Sequence, residues 1–424
     1  MKSSEPWPIW LKGAWQLMGL LLLALQGPGF VDSLLVRDPE PIDFAQEWVS
    51  ARNWWLGAAV YADQRVTLPR YLGLAEPEPG QQREWYIIYN AHPPAAVLIC
   101  LPLGAVADYR LAAVIWNGLS LALLGLAVLL MVRELKLQVS PWLIVPLLGL
   151  LLLYNPLRQQ VNQGQMNGVL LLVLTLAWRG WRHGRAQEAG FWLAVAAVLK
   201  LFPAFLFLLL LAQREWRGLL VGATTGLALT LIGVLVLGVA AHEDYAFKVV
   251  PAVHEFRAGK LNASLPGLFT KLLVGSEFEK VRPWLAAPTL AWGLTALMGL
   301  VLTGLVAWAA RPGGAGDRDQ LFCLGLVSMT LLSPITWDHS LLLLTLPILW
   351  VSQRQTGLAG RLGLAAVVLI FGFHHHGFWK WAEQGGWLPG VFGPLEVLGL
   401  ASLLCYGQVL LLGLVWAAPG RGQP

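Results

Sequence analysis

Apolar residues occur in long unbroken runs along most of the chain, with polar residues concentrated between the runs. The segments 119–131 and 219–239, for example, contain no charged residue. A transmembrane β-strand alternates apolar and polar positions, whereas continuous runs of this kind are typical of membrane-spanning helices. The pattern therefore predicts an all-α polytopic membrane protein and argues against a β-barrel.

The composition agrees with this interpretation. Charged residues make up 12% of the 424 residues and hydrophobic residues make up 57%. Soluble domains contain about 25% charged residues, so this composition excludes a soluble globular fold. We expect a single integral membrane domain that covers residues 1–424.

The short loops between the apolar runs are rich in Lys and Arg, and they determine the predicted orientation. Under the positive-inside rule these loops and both termini lie in the cytoplasm. We therefore expect a multi-pass protein of the cell (inner) membrane. The net charge of +5 then reflects cytoplasmic loops, and we expect no nucleic-acid partner. Two long polar stretches are left for the non-cytoplasmic side: a first outer loop, 37–109, with surface helices, and a second, 242–284.

This orientation predicts about twelve transmembrane helices with both termini inside. The segment 94–107 is too short for a comfortable span, so we interpret it as a helix at the outer surface, although thirteen spans remain an alternative. The predicted spans are 13–36, 110–132, 140–156, 167–179, 188–199, 202–213, 218–240, 285–310, 320–335, 340–352, 361–374 and 391–416.

Two of these spans are unusually short, and Lys200-Leu201-Phe202-Pro203 joins them. A single continuous helix would place Arg214 and Arg217 outside, whereas a broken hairpin keeps both inside. Non-helical backbone at membrane depth is tolerated where it lines a cavity. We therefore expect Lys200 at the apex of a hairpin, just under the outer face.

Polar groups in or beside the bilayer are candidates for function, and the first group follows the first span. Helical spacing places Asp43 and Glu47 on one face and Phe44 and Trp48 on an adjacent apolar face. We interpret this segment as an amphipathic helix lying on the membrane. The alternative structural role of Asp43 is that of a helix N-cap.

Further candidates fall at the predicted outer ends of other segments. Each has a simpler alternative: a loop histidine for His92, helix caps for the amides, and an interfacial anchor for the charged pair beside Trp337. Asn262 begins an Asn-Ala-Ser glycosylation sequon, a match that is frequent by chance. The candidates are His92 before Pro93-Pro94, Gln165 and Asn167 in Gly-Gln-Met-Asn, Asn262, and Asp338 and His339 after Ser333-Pro334.

The sequence gives little support for a metal-binding site. Cys100, Cys323 and Cys405 lie inside apolar runs and show neither a disulfide pattern nor a metal-ligand spacing. The run 374–376 consists of three histidines, but consecutive helical residues point about 100° apart and do not converge on one ion. We interpret this run as interfacial and expect no essential metal.

In their order along the chain, these motifs resemble the polyprenyl-phosphate-sugar-dependent enzymes of glycosyltransferase family 87. The resemblance covers about residues 40–345 and includes mycobacterial mannosyltransferases of phosphatidylinositol mannoside synthesis. It rests on the acidic residue after the first span, Pro-Pro, Gly-Gln-x-Asn, Lys-x-x-Pro, Asn-x-Ser and Ser-Pro-x-x-Trp-x-His. Glu47 departs from the family pattern, which has an aromatic residue there.

The resemblance implies the GT-C membrane fold and a mechanism. A hexose or pentose of the mannose or arabinose type would move from a polyprenyl phosphate to an acceptor hydroxyl on a lipid or glycan, with inversion, at the outer face. Asp43 would be the general base, unless Glu47 shares that role. The donor would be a substrate, with no cofactor required. The residues expected to bind the donor phosphate or sugar are Lys200, His339, Arg52, Asp338, Gln165, Asn167, Asn262 and His92.

Three other functions remain open on the sequence. Another enzyme that uses polyprenyl lipids, such as a ligase, would share an outer-face site. A lipid or solute transporter would keep its charges near the midplane and often shows repeats, which we do not detect. A structural membrane subunit would have no reason to gather Asp43, Lys200 and His339 on one side. The sequence names neither the sugar nor the acceptor.

Overall fold

The computed structural model describes residues 7–37, 42–74, 88–314, 316–355 and 357–418. Throughout these residues the chain is built from helices, joined by short loops and 3₁₀ or π turns, and only isolated β-bridges occur. This confirms the all-α prediction. The α-helices are α1 (Ile9–Leu34), α2 (Ala45–Trp55), α3 (Gln64–Tyr71), α4 (Pro94–Gly104), α5 (Tyr109–Glu134), α6 (Ile144–Leu153), α7 (Asn155–Asn162), α8 (Asn167–Arg182), α9 (Ala186–Leu199), α10 (Phe207–Ala212), α11 (Trp216–Leu237), α12 (Val239–Asp244), α13 (Val250–Ala252), α14 (Leu265–Leu273), α15 (Pro288–Ala309), α16 (Arg318–Leu332), α17 (Thr345–Arg354), α18 (Leu358–Gly372), α19 (His375–Gln384), α20 (Pro394–Leu398) and α21 (Leu403–Ala417).

Five helical segments in the described part of the chain are long and apolar enough to cross a membrane: α1, α5, α11, α15 and the segment Pro394–Ala417. Two bent pairs raise this number to seven if each pair forms one span. The first pair, α6 and α7, bends by 62°, and the second, α18 and α19, bends by 59°. The protein is thus a polytopic membrane protein, but the predicted number of twelve spans is not confirmed.

The shortfall has a local cause. Every predicted span coincides with helical structure, yet several of these helices have 10–16 residues, whereas a membrane span needs about 20. The extended residues Tyr154 and Phe373 lie near the ends of two predicted spans, and each is followed by a further helix at an angle. The sequence pattern located helices in every predicted span, but it did not reveal these bent continuations.

The predicted short hairpin is present between α9 and α11. The backbones of Gly190, in α9, and Gly218, in α11, pack so closely that no side chain fits between them. The chain therefore returns between residues 199 and 216 to the level at which α9 began. Lys200 lies at the far end of this excursion, where its extended backbone ends α9.

The predicted amphipathic helix exists as α2, but it does not lie on the membrane. Phe44 and Trp48 are fully buried, with Phe44 stacked on Trp116 at 5.4 Å and Trp48 packed against Tyr109 at 5.3 Å. The polar face is buried too, because Glu47 is only 3% exposed. The aromatic residues that suggested a lipid contact instead fill an internal cluster, so this prediction was wrong.

The second outer loop is also helical. It carries α12, α13 and α14, and the buried Lys271 of α14 fastens it to the C-terminal helices. The ammonium group of Lys271 donates to the carbonyl oxygens of Asn262, at 2.9 Å, and of Ala401. The loop therefore forms a folded cap whose position is fixed relative to the rest of the molecule.

Candidate functional site

The Asp43 side chain does not cap a helix. Helix α2 begins at Ala45 with Phe44 as its N-cap, and no side chain caps it. The Asp43 carboxylate instead accepts a hydrogen bond of 2.8 Å from the amide of Gln165. The capping alternative is therefore wrong, and the carboxylate belongs to a tertiary site.

Burial is the main cause of an unusual proton affinity at Asp43. Desolvation raises the pKa of this carboxyl group to about 6, and the hydrogen bond from Gln165 opposes the shift. The charge of Glu47 raises the pKa further, whereas His92 and Lys200 lower it. A carboxyl group that titrates near neutral pH suits general acid–base chemistry.

The Gly164-Gln165-Met166-Asn167 segment joins the two halves of the site. Gly164 has a φ of +61°, and Ile42 and Phe44 occupy the space that a side chain at this position would need. The turn directs Gln165 to Asp43, while the amide nitrogen of Asn167 lies 2.9 Å from Nδ1 of His339. Two residues of one segment thus hold Asp43 and His339.

The partners of His339 define its tautomer. Its Nδ1 faces the amide nitrogen of Asn167, a donor, so Nδ1 accepts and Nε2 carries the proton in the neutral ring. Nε2 is buried and has no hydrogen-bond partner within the described residues. Buried polar atoms are normally satisfied, so this N–H group is available to a ligand oxygen.

Lys200 brings a positive charge to the same place. Asp43 and Glu47 are its electrostatic neighbours, and Lys200 is in turn a neighbour of His339. Among the residues that the structure describes, its ammonium group makes no hydrogen bond or ion pair. A cation whose N–H groups are not engaged by the protein, beside a second N–H donor, favours an anionic ligand such as a phosphate group.

Glu47 and His92 form the fourth part of the site. Oε1 of Glu47 contacts Nδ1 of His92, and both side chains are largely buried. His92 lies in the loop just before α4, so this loop folds back onto the start of α2, which carries Glu47. Sequence analysis named both residues but not their pairing, because 45 positions separate them.

The structure does not bring Arg52 into the site. Its guanidinium lies 5.5 Å from the ring centres of both Trp48 and Tyr71, and it donates to the carbonyl oxygen of Gly104 at 3.3 Å. On a helix, residues nine positions apart face opposite sides, which separates Arg52 from Asp43. The guanidinium closes the carboxyl end of α4 instead.

Asn262 and Asp338 hold in place the backbone that carries His339. The Asn262 amide is fully buried and bonds the backbone of Arg257, Ser264, Pro334 and Thr336, which also makes this sequon residue inaccessible to glycosylation. One oxygen of Asp338 accepts from the Asn155 amide at 2.8 Å, and the other accepts from the backbone of His339 at 2.8 Å. Both side chains therefore fix the turn that carries His339.

Asn155 and Gln159 are polar residues that the sequence analysis missed. Asn155 holds Asp338, and Gln159 lies 3.2 Å from Nε2 of His374. The only signal in the sequence was Asn155-Pro156 directly after an apolar run. His374 and His375 contact different neighbours, Gln159 and the carbonyl oxygen of Ile370, and no group of three or more potential metal ligands occurs in the described ranges.

A comparison with models of known protein families covers several of these site residues. The family model described as Glycosyltransferase family 87 matches residues 90–334, which include Gln165, Asn167 and Lys200 but not Asp43. No solved structure matches the chain.

Two curated proteins are similar to the chain. The polyprenol-phosphate-mannose-dependent alpha-(1-2)-phosphatidylinositol pentamannoside mannosyltransferase of Mycolicibacterium smegmatis is 26% identical over 324 residues, which cover 75% of this chain and 68% of that protein. The alpha-(1->3)-arabinofuranosyltransferase of Corynebacterium glutamicum is 27% identical over 190 residues, which cover 43% of this chain and 42% of that protein.

Proposed function

The chain belongs to glycosyltransferase family 87, and from this premise we propose that it transfers a sugar from a polyprenyl-phosphate donor to an acceptor hydroxyl. The transferase activity follows from the family, and the donor class is supported by the polyprenol-phosphate-mannose dependence of the mycobacterial relative. The sugar would be of the mannose or arabinose type, as in the two relatives. The acceptor would be a hydroxyl of a lipid or glycan.

One observation carries this proposal: a single segment, 164–167, joins the Asp43 carboxylate to the His339 imidazole, beside which the Lys200 ammonium group lies. Gln165 holds Asp43, and Asn167 holds His339. A glycosyl transfer needs these two groups close together, because a base must act at the acceptor while cations stabilise the leaving phosphate.

The proposed reaction is a single displacement. The acceptor oxygen attacks the anomeric carbon and forms the new glycosidic bond, while the bond from that carbon to the phosphate oxygen breaks. The electron pair leaves with the phosphate, and the hydroxyl proton passes to Asp43. Attack from the face opposite the phosphate inverts the anomeric configuration.

Each donor group would then have a defined role. Lys200 offsets the charge that develops on the leaving phosphate, and the Nε2–H group of His339 donates a hydrogen bond to a phosphate oxygen. Oε1 of Gln165 and Oδ1 of Asn167 are buried and have no hydrogen-bond partner among the described residues, and they would accept from sugar hydroxyls. No step uses a metal ion or a cofactor.

The position of the site supports the proposal that transfer takes place at the non-cytoplasmic face. Helix α5 has 26 residues and is therefore about 39 Å long. Tyr109, at its first turn, bonds the backbone of Ile42 next to Asp43, whereas Glu134, at its last turn, pairs with Arg179 of a basic short loop. The site and the basic loops thus lie at opposite ends of a span, as the positive-inside rule requires.

Transfer in a reconstituted system tests the proposal. The purified protein in lipid nanodiscs receives polyprenyl phosphate that carries radiolabelled mannose or arabinose, together with a membrane lipid extract as the acceptor source. We expect label from one donor to appear in a new lipid or glycan product with an inverted anomeric configuration. Transfer from neither donor, or retained configuration, would contradict the proposal.

A further inference from the structure

Two carboxylates lie one helical turn apart in the site, and the structure gives them different partners. Asp43 accepts a neutral hydrogen bond from the Gln165 amide. Glu47 contacts the imidazole of His92. Two buried carboxylates this close cannot both stay ionised without compensation, so the partner of one decides the state of the other.

His92 is held against Glu47 from three directions. The hydroxyl group of Tyr61 donates to the His92 carbonyl oxygen at 2.7 Å, and the His92 backbone N–H donates to Oδ1 of Asn90 at 3.0 Å. The neighbouring Ala91 N–H donates to Oε1 of Gln46, in the same turn of α2 as Glu47, at 3.1 Å. These bonds fix the loop, and thereby the ring, relative to α2.

The surroundings of the pair show why it matters for Asp43. Lys200 and His339 lie near the Glu47–His92 pair but are not bonded to Glu47. The charged and titratable groups around the pair come from every element packed at this point: Asp43 and Glu47 at the start of α2, Tyr61 before α3, His92 before α4, Cys100 in α4, Tyr109 in α5, Lys200 after α9, and His339 after α16. Among the residues that the structure describes, His92 is the one titratable group in direct contact with Glu47.

We propose that His92 is a positioning residue which, by pairing with Glu47, leaves Asp43 as the one free carboxylate that can take a proton from the acceptor. The inference rests on the proposed function, because it explains which of two carboxylates serves as its base. It also reassigns His92, which the sequence suggested as a contact to the donor. A contact of His92 with the donor would remove the one direct contact that the described residues give to the buried Glu47 carboxylate.

The test compares His92→Gln with the double variant His92→Gln/Glu47→Gln. The readout is the protonation of Asp43, followed by infrared difference spectroscopy over a pH titration, with Asp43→Asn identifying its band. In the wild-type protein the midpoint should lie near the pKa of about 6. We expect His92→Gln to raise the midpoint by about one pH unit, since the influence of His92 that lowers the pKa of Asp43 is lost.

The double variant separates this role from simple packing. It removes the charge of Glu47 together with that of His92, so the midpoint should return to the wild-type value or fall below it. An unchanged midpoint in His92→Gln, or a raised midpoint that the double variant does not reverse, would overturn the proposal.

Turnover is measured in parallel, and its acidic limb should move with the infrared midpoint. The infrared readout does not depend on transfer. Midpoints that shift as expected in a protein that transfers no sugar would therefore reject the proposed function and keep the role of His92 in fixing the state of Asp43.

Discussion

Lys200 shows how far single residues could be interpreted from the sequence. Its Lys-x-x-Pro context between two short apolar segments predicted a membrane-embedded apex, and the structure places it beside Asp43. Arg52 lies instead against Trp48, a partner one helical turn away, and against the end of α4, a contact that the sequence does not show. Spacing along one helix is readable, whereas contacts between distant segments are not.

The role of Lys200 leads to a prediction about donor affinity. Lys200→Met should weaken binding of a polyprenyl-phosphate sugar at least about tenfold, because it removes a charge-assisted contact to phosphate worth about 1.5–3 kcal/mol. Binding can be measured by scintillation proximity with labelled donor and solubilised protein. The matched control is Lys248→Met in the second outer loop, an exposed lysine that forms an ion pair with Asp244. Equal affinities of both variants and the wild-type protein would reject the phosphate role.

At the scale of elements, the positions of the helices were predictable, but their lengths and surroundings were not. Apolar runs located helical segments, of which five to seven are long and apolar enough to cross a membrane. The helices α7 and α19, which continue beyond Tyr154 and Phe373 at an angle, were not foreseen. The aromatic face of α2 was read as lipid-facing because the pattern cannot distinguish a lipid surface from an aromatic cluster inside the protein.

The hairpin between α9 and α11 was predicted from charged residues rather than from an apolar pattern. Arg214 and Arg217 follow two short apolar segments too soon for a full membrane span between them. The structure adds the contact that holds the hairpin, in which Gly190 and Gly218 allow two helix backbones to touch. Small residues that permit such close approach are typical of helix pairs in membranes.

At the scale of the whole molecule, two polar regions lie at opposite ends of the long helices. The region distant from the site is a network of ion pairs between short loops, including Arg182 with Asp319 at 3.1 Å and Arg354 with Asp317 at 3.0 Å. The same loops line a cavity of about 690 Å³. This separation is the structural counterpart of the charge asymmetry from which the orientation was predicted.

The orientation predicts the result of cysteine labelling in intact cells. Glu277→Cys, in the second outer loop, should react with a membrane-impermeant maleimide, whereas Gln187→Cys, beside the basic loops, should react only after the cells are permeabilised. Both positions are exposed, and Cys100, Cys323 and Cys405 are buried, so the native thiols contribute little background. The reverse pattern would place the site in the cytoplasm and refute the proposed face.

The central claim is that Asp43 takes the proton from the acceptor, and its most direct test is the turnover of Asp43→Asn. Asparagine keeps the size of the side chain and a hydrogen-bonding group for Gln165, but it cannot accept the proton. We expect turnover to fall at least about 10²-fold while expression and donor binding stay intact, and we expect the control Glu47→Gln to remain active at neutral pH. Wild-type turnover in Asp43→Asn together with its loss in Glu47→Gln would contradict the claim and assign the base to Glu47.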